Sequence, residues 1–444
     1  MKNASIYHKD FKLKPWWWEA YQPRAMDLVD IPQTADVAII GAGYAGLAAA
    51  LELGKQGMSS VVLDAEQPGF GASTRNGGMV SGGRNVGRRY TRTMAAEEAH
   101  MTALRHDAAD GFDLVESLIR DNKIQCGWRR TGVFSGAWCK RHLVAMKAQV
   151  DALNGIAEGN AYMVSADEQR TEIGSDFYRG GMVVELGANL HPALYFKGLL
   201  DLCQDTGKNK AASAITICAK ARVTELNQSP SGWLVSTSRG AILTNDVIVA
   251  TNGYTGNVTP QLKRRVVPVG SYMIATEELP PDLAKSLSPK NRAFSESRRV
   301  LCYYRLSPDG TRLLFGGRAR FGSLDPQDSA PILYGFMLDR FPQLKGIRIT
   351  HSWTGNVAFT FDEVAHMGMQ DGLHYAMGCN GSGITMMTYL GTQTARKIAG
   401  VANYQCAFDG PAMPTHPLYH GNPWFIPWVG RYFRTRDWID RRLG

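Results

Sequence analysis

D-V-A-I-I-G-A-G-Y-A-G, residues 36–46, runs a short β-branched, apolar segment straight into the spacing G-x-G-x-x-G. From Tyr44 to Gln56 the apolar spacing is helical, Gly57 stops the helix, and Ser60 to Leu63 is a second apolar strand. Strand, glycine turn, helix and strand fit the compass of one βαβ unit. Gly41 permits the tight turn, Gly43 lets main chain approach a pyrophosphate, and Gly46 lets the helix sit close on the strand. The helix start at Tyr44 and Ala45 brings N–H groups and a positive dipole end to the phosphates. Asp64, with Ala65 behind it, ends the second strand where a carboxylate can meet a ribose. This order of features predicts a bound dinucleotide. No other G-x-G-x-x-G follows a strand, so a second, nicotinamide nucleotide is not expected.

Further along, residues 93–122 and 142–153 read as amphipathic helices, with strand–turn–strand at 127–138 and a strand at Met182–Leu186. Pro192 can open a helix, since its missing N–H costs nothing in the first turn. Arg222–Leu226, Trp233–Thr237 and Asp246–Ala250 read as strands, and the whole of 264–350 as strand-rich. The glycine-rich G-C-N-G-S-G at 378–383 precedes a last helix, Ile384–Ile398.

G-A-S-T-R-N-G-G at 71–78 follows Asp64 closely. Behind the complete fingerprint, this stretch resembles the D-amino-acid oxidase-like family of FAD-dependent amine oxidoreductases, which includes glycine and sarcosine oxidases. The similarity runs over about residues 34–400, and the branch it is most similar to is γ-glutamylputrescine oxidase-like. The resemblance implies an α/β fold: a Rossmann-type FAD-binding domain, discontinuous in sequence, beside an α+β substrate domain on an antiparallel-rich sheet. Residues 30–95, 155–262 and 350–405 are expected in the first and 96–154 and 263–349 in the second. Residues 1–29 and 406–444 are left as aromatic and basic extensions.

By the same resemblance, Gly71, Ala72, Ser73, Arg75, Asn76, Gly77, Gly78 and Met79 belong to the FAD site. Ser73 and Arg75 can give hydrogen bonds and charge to the pyrophosphate, while Gly77 and Gly78 let main chain pass close to the flavin. Val223 would meet the adenosine end through its backbone. Ala250, Thr251 and Gly253, in D-V-I-V-A-T-N-G-Y-T, would pass near the FAD. Gly378, Asn380, Gly381, Gly383, Ile384 and Thr385 would close the site beneath the isoalloxazine, where helix N–H groups favour negative charge. The family's covalent-flavin branch has a cysteine about five residues before the T-x-D that is here Thr360–Asp362. Gly355 stands there, so non-covalent FAD is expected. Ala365 stands where proline is usual.

The resemblance also implies hydride transfer from the carbon beside an amine to flavin N5, then hydrolysis of the imine to an aldehyde or keto product. Electrons would go to oxygen, giving H2O2, or to another acceptor. An arginine would suit a substrate carboxylate, because its planar fork donates two parallel hydrogen bonds. Arg318, Arg84 and Arg305 are candidates, with Tyr304 and Tyr272 on strands facing the cavity and His366 near the T-x-D turn. Cys379 reads as a small buried residue.

The bulk numbers bound the alternatives. The chain has 444 residues, 44% hydrophobic and 20% charged, as in ordinary globular proteins. Seven scattered cysteines without a C-x-x-C argue against a disulfide framework and against a metal site. The net charge of +9 comes without a nucleic-acid motif, so a solvated surface leaning toward anions is expected rather than nucleic-acid binding. No apolar run is long enough to span a bilayer and no signal-like segment opens the chain, so a cytoplasmic location is expected. Trp16–Trp18 and the aromatic, arginine-rich 422–442 fit either packing over the body or peripheral contact with a membrane. The membrane reading would make the protein a flavin dehydrogenase feeding a quinone. A non-catalytic, FAD-stabilised partner-binding protein is the reading from another class. The oligomeric state is left open.

Overall fold

A computed structural model describes residues 5–82, 86, 95–155, 160–209, 214–320, 324–410 and 413–444. Its parallel core sets five strands side by side in the order Ile215–Cys218, Ser60–Leu63, Thr34–Ile40, Gly240–Val249 and Leu373–Met377. Ile39 sits in register between Val62 and Ile248, all three fully buried. Burial on both faces is why these strands read as continuous apolar runs without alternation. The strand Gly240–Val249 is twice used: its first half ends an antiparallel meander with Val223–Ser229 and Gly232–Thr237, and its second half joins the parallel core.

Two helices lie back to back over this sheet. Helix Tyr44–Lys55 is buried from Tyr44 to Leu53, and helix Gly383–Ile398 from Ile384 to Ala395. They touch through main chain: a Cβ on Gly391 would lie 2.2 Å from the Ala45 carbonyl oxygen. Only a glycine permits that approach. Helix Ala95–Asp121 packs against the second of the pair, with Gly111 against Thr385 and Tyr389, and buries Leu104, Phe112 and Val115 in the same core.

The second sheet has nine strands, ordered Tyr7–Lys12, Ile349–Phe359, Val267–Thr276, Leu313–Gly317, Cys302–Leu306, Ala293–Glu296, Val133–Gly136, Gly181–Val184 and Ala161–Val164. Several expectations shift here. Strands Ala161–Val164 and Gly181–Val184, and residues 350–359 of the strand Ile349–Phe359, expected from the sequence in the FAD-binding domain, belong to this sheet. Tyr7–Lys12 pairs in parallel with Ile349–Phe359, so the N-terminal extension is part of the body. Residues 264–350 are not all strand. Helix Pro326–Arg340 starts at an Asp325 cap that accepts the Gln327 N–H, with proline at its first position. It covers one face of the sheet, burying Leu333 and Met337 against Tyr304, Phe315 and Phe341. Residues 426–443 form one more helix.

Candidate active site

The first glycine turn has the shape a diphosphate needs. Gly41 adopts φ +106°, and its N–H donates to Leu63 O at 2.8 Å. A Cβ on Gly46 would fall 1.9 Å from the Gly41 carbonyl oxygen, and one on Gly41 3.0 Å from that of Ala250. Any side chain there would force apart helix, turn and the strand end at Ala250–Thr251. Asp64 accepts the Ala42 N–H on one carboxylate oxygen and the Glu66 N–H on the other, each at 2.8 Å. Burial pushes its carboxyl upward despite these bonds. The glycine cradle and the fixed carboxylate fit the adenosine diphosphate half of FAD, with Gly43, Ala45, Gly46 and Ala65 around the turn. Val223 starts its strand, buried, opposite Thr237.

The loop 69–79 crosses in front of that helix. Ser73 Oγ accepts the Tyr44 N–H at 3.1 Å, and Asn76 Oδ1 accepts the Gly78 N–H at 2.9 Å. Gly71 lies against Tyr254 and Gly78, at φ +67°, against Leu190. Arg305, expected at the substrate, and Trp18, expected either to pack over the body or to meet a membrane, hold this loop. The Arg305 guanidinium, fully enclosed, donates to Gly78 O and Leu190 O at 2.7 and 2.8 Å; burial pushes its pKa down to about 9. It braces the loop from behind and does not line the cavity. Trp18 Nε1 donates to Thr74 Oγ1 at 2.9 Å, and its ring and that of Phe70 clasp the Arg75 guanidinium at 4.6 and 4.7 Å.

The closing element comes from 355–385. Asn380, at φ +45°, accepts the Thr360 N–H and donates to Gly378 O, while Gly378 N–H donates to Asn252 Oδ1. Gly253 packs against Asn356. These bonds aim the start of helix Gly383–Ile398 into the interior. Thr385 turns away and donates to Ser81 O.

Between the loop, this helix start and the nine-stranded sheet lies a cavity of about 760 Å³. It brings together Ala72, Arg75, Asn76, Gly77, Met79, Asn380, Gly381, Gly383 and Ile384 of the expected FAD set. Arg318 lines the facing wall, its guanidinium over the Phe359 ring at 4.7 Å. Arg318 also donates to Arg299 O at 3.5 Å; nearby, Arg298 pairs with Glu296, and Arg299 with Asp437 and Asp440.

Three expected pocket residues lie elsewhere. Tyr304 is fully buried on the opposite face of its strand, where its hydroxyl meets that of Tyr178 at 2.7 Å and its ring stacks on Phe315. Tyr272 shares that core. The cavity is lined instead by Tyr303, whose hydroxyl meets Ser271 Oγ at 2.9 Å, and by Met273. Successive side chains alternate across a strand, so a phase error of one residue exchanges the two faces. His366 is 1% exposed, outside the cavity, and paired at 2.8 Å with Asp362. Burial works to raise the Asp362 carboxyl, but the His366 bond and charge outweigh it and hold it below its ordinary value. Arg84 lies outside the described residues. The sequence reading also missed Phe425, Val429 and Phe433, which roof the cavity; their spacing of four was the available signal.

A fold of this kind, with a glycine cradle and an interior cavity beside it, defines a flavoprotein oxidoreductase, and the chain belongs to the DAO family of FAD-dependent oxidoreductases. The family profile matches residues 36–397. The chain is 32% identical to γ-glutamylputrescine oxidoreductase of Escherichia coli (strain K12) over 419 residues, covering 93% of this chain and 94% of that one. Among solved structures it is similar to glycine oxidase from Geobacillus kaustophilus, with a TM-score of 0.69, 18% identity and 87% and 99% of the two chains covered. L-amino acid deaminase from Proteus vulgaris gives a TM-score of 0.67 at 17% identity, covering 88% and 97%. Among the described residues no helix is long and apolar enough to cross a membrane, and no cluster of ligands could hold a metal ion.

Proposed function

We propose that this protein oxidises the C–N bond of an amine or amino acid that carries a carboxylate, with Arg318 holding the anionic end. Bound FAD supplies a two-electron acceptor for the hydride leaving the carbon next to nitrogen. The resulting imine takes up water and splits into an amine or ammonia and an aldehyde or keto acid. The observation that supports this reading is that Arg318 and Tyr303 line one cavity together with Gly77, Gly381 and Gly383.

The protein's own contribution is orientation and exclusion of water. The Arg318 fork can pair with a carboxylate in two parallel hydrogen bonds. Burial raises the Tyr303 phenol, so it stays protonated and can donate to, or accept from, the substrate's polar end. Arg75, Asn76 and the loop glycines would hold the flavin against the start of helix Gly383–Ile398, whose dipole favours negative charge there. Gly355 lines the cavity against Arg75, consistent with non-covalent attachment.

The E. coli relative puts γ-glutamylated polyamines first in a substrate panel, ahead of secondary amines and free amino acids. Anaerobic mixing with the true substrate is expected to bleach the flavin band. No bleaching across the panel would favour the non-catalytic, partner-binding alternative. Arg318→Gln is expected to raise KM for a carboxylated substrate roughly 10- to 100-fold, the loss of one charge-assisted contact, with kcat less affected. Peroxide release in air separates an oxidase from a dehydrogenase that feeds a quinone.

A further inference from the structure

Helix Ile426–Leu443 has two faces of opposite character. Its inner face is anchored by its only carboxylates, both buried. Asp437 accepts the main-chain N–H groups of Arg299 and Val300 at 3.0 and 2.9 Å. Asp440 pairs with Arg299 at 2.6 Å and with Arg141. Arg441 points inward too, donating to Trp138 O and Phe177 O.

The outer face carries Trp428, Tyr432 and Trp438, which are 65%, 58% and 54% exposed. At 100° per residue these three, with Arg431 and Arg442, fall within about a third of the circumference. The guanidinium of Arg431 lies over the Trp428 ring at 5.4 Å, and that of Arg442 over Trp438 at 4.1 Å. Trp424, 57% exposed, extends the row past the helix start. Because both acids are consumed inside, this face offers cations and indoles with no carboxylate among them.

We propose that this face docks the protein on an anionic phospholipid surface. Flat rings with one polar edge suit the boundary between headgroups and acyl chains, and the interleaved arginines suit the phosphates outside it. A convex aromatic row offers no groove for a peptide and no fitted pocket for a nucleotide base. Tyr432 belongs to both the exposed row and the cavity wall, so docking would bring the cavity's rim to the lipid. The inference stands independently of the substrate: it requires only the folded, FAD-loaded chain.

The test is co-sedimentation of FAD-loaded protein with vesicles of phosphatidylcholine alone or mixed with phosphatidylglycerol. Binding is expected only to the mixed vesicles and is expected to weaken with salt. Each arginine near an anionic surface is worth about a five-fold change in partition. Arg431→Gln with Arg442→Gln should therefore lower it about 25-fold, while the control Lys345→Gln leaves it unchanged. Trp428→Ser with Trp438→Ser should reduce shielding of tryptophan emission by the lipid, leaving Trp424 as the one exposed indole of the row. Flavin content and Tm report that each variant is folded, since the replaced side chains lie outside. The proposal is overturned if the folded protein ignores the mixed vesicles, if the double variants bind undiminished, or if neutral vesicles serve as well.

Discussion

The two ends of the chain share a composition and differ in fate. Both mix tryptophan with basic residues, yet Trp17 is completely buried while Trp428 is 65% exposed. At the N-terminal end the rings find partners: Trp17 packs on His191 at 4.8 Å, and Trp18 has Thr74 for its N–H and Arg75 for its face. On the last helix the buried anchors are carboxylates and the rings are left outside. Aromatic content alone therefore does not place a segment. What places it is whether the body provides a surface for the ring to pack on: Trp17 is buried although its Nε1 meets no acceptor among the described residues.

Four substitutions or titrations sharpen that contrast. The largest effect is expected from Trp17→Ala, about 3–5 kcal/mol of lost stability in denaturant unfolding with a fall in bound flavin, because a filled interior site becomes a cavity. Next comes acid. Burial, helped by the neighbouring Arg305 charge, lowers the His191 pKa to about 4. The folded protein thus binds fewer protons than the unfolded chain between those pKa values. Its contribution is complete above about pH 6.5 and is lost as pH falls toward 4, amounting to about 3 kcal/mol. His191→Gln should flatten the stability profile over that window; an unchanged slope would refute the assignment. Asp437→Asn should cost about 1–3 kcal/mol, since two main-chain N–H groups and Arg299 lose a charged acceptor. Trp428→Ala should change Tm least, within about 0.5 kcal/mol, as for an exposed site. If instead it matches Trp17→Ala, the two ends are not different in kind.

Much of the nucleotide half could be read in advance because its determinants are local. G-A-G-Y-A-G, Asp64 and G-A-S-T-R-N-G-G each act within a few residues of themselves, and the structure gathers the loop and the 378–384 element around one cavity. The sheet facing them was less legible. C-Y-Y-R-L carries a tyrosine on each face, Tyr303 beside Arg305 and Tyr304 between Cys302 and Leu306, so residue type alone does not tell which ring meets the cavity. Helix Pro326–Arg340, absent from the sequence expectation, is what buries the face of Cys302, Tyr304 and Leu306. Arg305 was misread for another reason: an arginine bracing carbonyl oxygens and one binding substrate look identical in sequence, and only the partners at Gly78 and Leu190 tell them apart.

The pairing of Tyr7–Lys12 with Ile349–Phe359 bears on biosynthesis. Tyr7 and its partner Ile349 are so far apart in the chain that, at ordinary ribosomal speeds, the first strand waits roughly 20–70 s for its neighbour to be made. During that interval the nascent N-terminus has an open hydrogen-bonding edge beside a tryptophan triplet, an association hazard that a holding chaperone would be expected to shield.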